Sequence, residues 1–127
     1  MGNASKMMAT TAAAWAFGPN HEQVAGIIDR ASRMTEDEAG ALGDRWTAVG
    51  HATGVYAFNQ AYDTAYIADL YDAAHLAIEV AIATVSAEPA RYAVRDTALA
   101  CVVRNSISEE TFQTLTGPWL EAIGNIE

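Results

Sequence analysis

The chain is poor in cations, in cysteine and in long apolar runs. Only seven of its 127 residues are Lys or Arg, against 16 Asp or Glu, for a net charge of −9. Phosphate contacts supply most nucleic-acid affinity, so direct DNA or RNA binding is not expected. The same balance argues against attraction to an anionic membrane. Cys101 is the single cysteine, so no intrachain disulfide can form, and its setting in ALACVV reads as a buried, inert thiol. That suits a reducing compartment, and a cytoplasmic location is expected. No stretch reaches the roughly 18 apolar residues that span a bilayer. The start, MGNASKMMATTAAAWAFG, is too weakly basic and apolar for a signal peptide, and Lys6 stands where myristoylation wants Ser or Thr.

Catalytic signatures are also missing. There is no G-x-S-x-G, no P-loop and no dinucleotide glycine fingerprint. The three histidines are scattered. Enzyme activity and a cofactor are therefore not expected.

What the chain has is alanine and helical periodicity. Apolar residues make up 51% of it, enough for one domain over residues 1–127 to bury a core. Alanine is the best helix former and lets helices approach closely. Gly18-Pro19 ends a first helix over about residues 4–16, and residues 1–18 read as a loosely attached N-terminal helix. Asn20 with Gln23 suggests a cap for a second helix, whose Val24, Ile27, Ile28, Ala31 and Met34 make a one-sided stripe. Thr35 with Glu38 is a capping box, and the helix after it carries Leu42, Trp46 and Val49. A break is expected in VGHATG.

A long central helix is then expected over about residues 55–86. Pro89 suits the first turn of the next helix, which runs to about Arg104 and buries Leu99, Val102 and Val103. Ser108 caps a short helix, with Ile107 and Phe112 placed as a hydrophobic staple. Gly117 closes that helix and Pro118 opens a last turn. The expected fold is all-α, a compact bundle of five or six helices around the long one.

The long helix holds the one stretch that resembles a metal motif. At about 100° per residue, Asp72, His75, Glu79 and Ser86 fall on a narrow stripe with Asp69 beside it. Asp72-x-x-His75 has the carboxylate–histidine spacing of di-iron bundles, which need that motif on two helices. Here it occurs once, since Ala48 and Gly18 stand three residues before His51 and His21. Asp72, His75 and Glu79 could therefore hold a metal only across a dimer; a solvated helix edge is the simpler reading. Opposite lie Ile67, Tyr71, Ala74, Ile78, Ala81 and Val85, a heptad-like seam for a partner helix of this chain or another. Tyr62 and Tyr66 share a face beside the polar edge. Tyr62, Tyr66, Ile67, Tyr71, Ile78 and Val85 are thus the candidate interface residues.

RDTALACVVRNSISEETFQTLTGPWLEAIG, residues 95–124, resembles the C-terminal part of uncharacterised alanine-rich helical proteins of actinobacteria or their phages. Arg95, Asp96, Ala98, Leu99, Val102, Val103, Ile107, Phe112, Leu115, Gly117, Pro118 and Trp119 carry the resemblance. The preceding YDTAYIADLYDAAHLA, residues 62–77, is similar in texture, and with it the resemblance covers about half the chain; it implies a bacterial or phage origin and transfers no active site. The leading expectation is a non-enzymatic helical interaction protein that self-associates or binds another protein. The alternatives are a phage-encoded or host-directed effector binding one host protein, and a metal-dependent helical-bundle enzyme whose site spans a dimer.

Overall fold

The structure, a computed structural model, describes residues 16–126. Among them are six helices and no strand: α1 His21–Ser32, α2 Glu36–Val49, α3 His51–Ile67, α4 Tyr71–Thr84, α5 Ala90–Val102 and α6 Glu109–Ala122. The expected N-terminal helix falls, but for Ala16, outside the described residues. No described helix is long and apolar enough to cross a membrane.

The all-α fold is as expected, but the central helix is a different one. The span expected as a single helix over 55–86 is two helices joined at Ala68-Asp69-Leu70. Asp69 takes a left-handed conformation, φ 60°. The Leu70 amide donates to the Ala65 carbonyl at 2.7 Å and the Asp69 amide to that of Tyr66 at 3.4 Å. This is the hydrogen-bond pattern of a Schellman stop, with aspartate where glycine is usual. Aspartate tolerates the left-handed region better than most residues, so the helix ends without Gly or Pro.

The helix at the centre is α5. Ten of its 13 residues are buried, from Ala90 to Val102, and it touches all five other described helices. Its most extensive partner is α4, whose buried residues, Ala73, Ala74, Ala77 and Ala81, are all alanine. Small side chains let these helices lie close together, burying area without bulk. Larger residues fill the layers on either side: Val24 and Ile27 from α1, Leu42 from α2, Phe112, Leu115 and Trp119 from α6.

Local signals explain several helix ends. Thr35 and Glu38 form the capping box, the Glu38 amide donating to Thr35 Oγ1 at 3.1 Å and the Thr35 amide to Glu38 Oε1 at 3.0 Å. Glu38 also pairs with Arg30, which ties the end of α1 to the start of α2 and holds the Glu38 carboxyl below its ordinary range. Ser108 Oγ caps α6 by accepting from the Thr111 amide. Gly50 makes the expected break at φ 91°, ψ 143°, a conformation almost confined to glycine.

Two expected ends differ. Asn20 makes no side-chain cap; its Nδ2 reaches across the fold to the Cys101 carbonyl at 3.0 Å. That bond gives a further donor to a last-turn carbonyl of α5 that also accepts from the Arg104 amide at 3.5 Å. Nor does α6 stop at Gly117: it runs through Pro118, which is buried with Leu115, Thr116 and Trp119. Pro118 has no amide hydrogen to give the Thr114 carbonyl, and the burial of its neighbours offsets that loss.

Candidate functional site

The corner where α3 meets α4 gathers four of the six candidate interface residues. Tyr62, half-buried, packs edge-on against Tyr71 with ring centroids 5.8 Å apart, and Tyr66 does the same at 6.1 Å. The chain of rings extends to His75, 5.7 Å from Tyr71, and back to Phe58, 6.1 Å from Tyr62. The hydrogen bond with Tyr71, then burial, raises the Tyr62 phenol above its ordinary range. Tyr66 is 73% exposed and Ile67 is 84% exposed. An isoleucine so fully in water, beside an exposed tyrosine, is the most conspicuous apolar feature of the described surface.

Ile78 and Val85 do not join it. Val85 is buried, and Ile78 packs half-buried against the core with Ala74 and Ala81. The seam over 71–85 is therefore largely satisfied inside the chain, where α4 packs on α5. Ile67 lies on α3, across the break, so its apparent place in that seam came from treating 55–86 as continuous.

Asp72, His75 and Glu79 are exposed on α4. His75 Nδ1 lies 3.3 Å from Glu79 Oε1, an ordinary pair one helical turn apart. Among the described residues no group of three His, Cys, Asp or Glu is placed to hold a metal ion. Cys101 is buried, and burial pushes its thiol up to about 12, against the pull of Arg104. A thiol held that high is a packing group, not a nucleophile.

Phe58 links the corner to a groove of about 380 Å³ between α2, α3, α5 and α6. Trp46, Val49, Val55, Phe58, Tyr92, Leu115 and Pro118 supply its apolar walls. Its polar floor is Asp96, which is 4% exposed. Trp46 Nε1 donates to Asp96 Oδ2 at 2.9 Å, while Arg95 Nε and Nη2 donate to Oδ1 at 3.0 and 2.9 Å. The Arg95 guanidinium in turn lies 4.4 Å from the Phe58 ring centroid and 5.2 Å from that of Tyr92. Burial pushes the Asp96 carboxyl above its ordinary range, and Arg95 and Trp46 pull it part of the way back.

Sequence reasoning placed Trp46 among core fillers and gave Asp96 no role. Position 46 and position 96 are 50 residues apart, and no local spacing joins them. The one available signal was composition: an aspartate inside the apolar run of α5 needs a partner from elsewhere in the fold. A separate side-chain hydrogen bond, from Thr111 Oγ1 to Gln60 Oε1 at 2.9 Å, joins α6 to α3. No family model, curated protein or solved structure matches the chain.

Proposed function

We propose that this chain is a non-enzymatic helical interaction module that contacts another protein, or a second copy of itself, through the α3–α4 corner. The observation that carries the reading is the exposure of Ile67 and Tyr66 side by side, at 84% and 73%. Leaving such area in water forgoes about 1.5–3 kcal/mol for a side chain of isoleucine size, and a partner recovers it. Aromatic residues supply contact area at low entropic cost, and the exposed Tyr66 packs against Tyr71, which in turn packs against Tyr62. The exposed His75–Glu79 pair is an ordinary surface contact, and the Asp96 carboxylate already has a donor on each oxygen.

The test compares wild type with Ile67→Asp, checked by circular dichroism for unchanged helix content. Light scattering at micromolar concentration and affinity capture from the source cells are run on both. The reading expects a wild-type dimer or a captured protein that the variant loses. A wild-type monomer whose captured proteins are the same as the variant's would refute it.

A further inference from the structure

We infer that the α3–α4 corner is built for a basic protein segment, one presenting arginine beside an apolar side chain. This rests on the corner being a contact surface, as proposed above. Charge selects the partner. From Trp46 to Ala90 the chain has no Lys or Arg, and carries Asp63, Asp69, Asp72, Glu79 and Glu88. Three of these acids flank the exposed apolar residues. Asp63 and Ile67 line one shallow groove on the side of α3 that faces the α5–α6 connection. Asp69 lies in the turn between Tyr66 and Tyr71, and Asp72 follows Tyr71. All three are exposed, and none makes an ion pair among the described residues. The basic residue closest in sequence to that groove, Arg104, is turned to other work: it lies over the Phe112 ring at 4.5 Å and donates to Gln23.

Aromatic faces with unpaired carboxylates beside them recognise guanidinium groups, by cation–π attraction and by charge-assisted hydrogen bonds. The chain uses that chemistry internally, where Arg95 lies over Phe58 and Tyr92 and pairs with Asp96, and where Arg91 lies over Tyr92 and pairs with Glu88. The corner offers the same elements, Tyr66 and Tyr71 with Asp69 and Asp72, with no arginine of its own. A second copy fits poorly. Two such faces related by a twofold axis would set acid against acid, which costs affinity and specificity.

The experiment uses the full chain and two labelled probes, followed by fluorescence anisotropy. One probe is an amphipathic helical peptide with leucines on one face and arginines on the other; in the second, glutamate replaces every arginine. Three variants are compared with wild type: Asp63→Asn/Asp69→Asn/Asp72→Asn at the corner, Glu22→Gln/Asp37→Asn/Asp44→Asn on exposed sites of α1 and α2, and Tyr66→Ser/Ile67→Ser. The two triple variants change net charge equally, and asparagine keeps the left-handed turn at position 69 accessible. The arginine probe is expected to bind wild type and to weaken about tenfold on the corner triple variant, but about twofold or less on the remote one. Equal weakening by both would mean long-range charge alone and would overturn the inference. So would failure of the arginine probe to bind. Equal binding of both probes, lost in Tyr66→Ser/Ile67→Ser, would overturn the basic partner while leaving the corner as a contact surface.

Discussion

The bond between Trp46 and Asp96 is the most testable single contact in the fold. Trp46→Phe removes the one donor to Asp96 Oδ2 among the described residues and leaves a charged oxygen, in a side chain 5% exposed, without its partner. Hydrogen bonds to charged groups contribute about 1.5–3 kcal/mol, and the smaller ring adds a few tenths for lost apolar contact with Tyr92. Wild type should therefore lose about 2–3 kcal/mol. Asp96→Asn removes the charge. Its amide can turn its oxygen to Arg95 or to Trp46, but its NH2 then meets the other donor. With Asn at 96, taking the indole N–H away relieves that mismatch, and Trp46→Phe should cost under about 1 kcal/mol. The coupling in the double-mutant cycle is then about 1–2 kcal/mol. Urea unfolding of the four proteins at neutral pH, followed by circular dichroism, measures it. Additivity within about 0.5 kcal/mol would refute the claim that this bond serves a buried carboxylate.

Other consequences follow from the backbone and from pH. A Cβ on Gly43 would stand 3.0 Å from Pro89 Cδ, whereas one on Gly40 meets nothing within 4 Å. Gly40→Ala should raise stability by about 0.5–1 kcal/mol and Gly43→Ala should lower it, although both lie in α2; melting temperatures of the pair decide. Asp69→Gly should be neutral or stabilising by up to about 1 kcal/mol, because glycine takes φ 60° freely, while Asp69→Val should cost about 1–2 kcal/mol. For pH, Asp96 in the folded chain holds its proton more tightly than an ordinary aspartate. Its contribution is therefore most favourable below the ordinary aspartate range and is lost as pH rises through the raised folded value. The melting temperature of wild type minus that of Asp96→Asn should fall across that window; a difference that rises would contradict the raised value.

Features that act within a few residues were legible in the sequence. Thr35 with Glu38, and Ser108, cap the helices they were expected to cap, because a cap is written in residues close in sequence. Gly50 broke its helix for the same local reason. Asp69 escaped notice because aspartate is a secondary occupant of a helix stop that glycine dominates, and its neighbours continue a helical pattern on both sides. Pro118 misled in the opposite direction: proline ends most helices, but here the burial of Leu115 and Trp119 keeps α6 going. At the corner, Tyr62, Tyr66, Ile67 and Tyr71 were named from periodicity along a helix that is really two. They are neighbours because the α3–α4 turn folds the rings together. The Trp46–Asp96–Arg95 set depends on α2 meeting α5, and nothing in one-dimensional spacing encodes that meeting.

The exposed end of α3 carries the account, and a crosslink tests it where the protein works. A photoreactive phenylalanine derivative is placed at Ile67 and, separately, at Ala41, an exposed position on α2. Both proteins are irradiated in the source cells and resolved by mass. The account predicts a discrete higher-mass adduct, with a partner or with a second copy, from position 67 and not from position 41. Adducts of equal yield from both positions, or from position 41 alone, would contradict it.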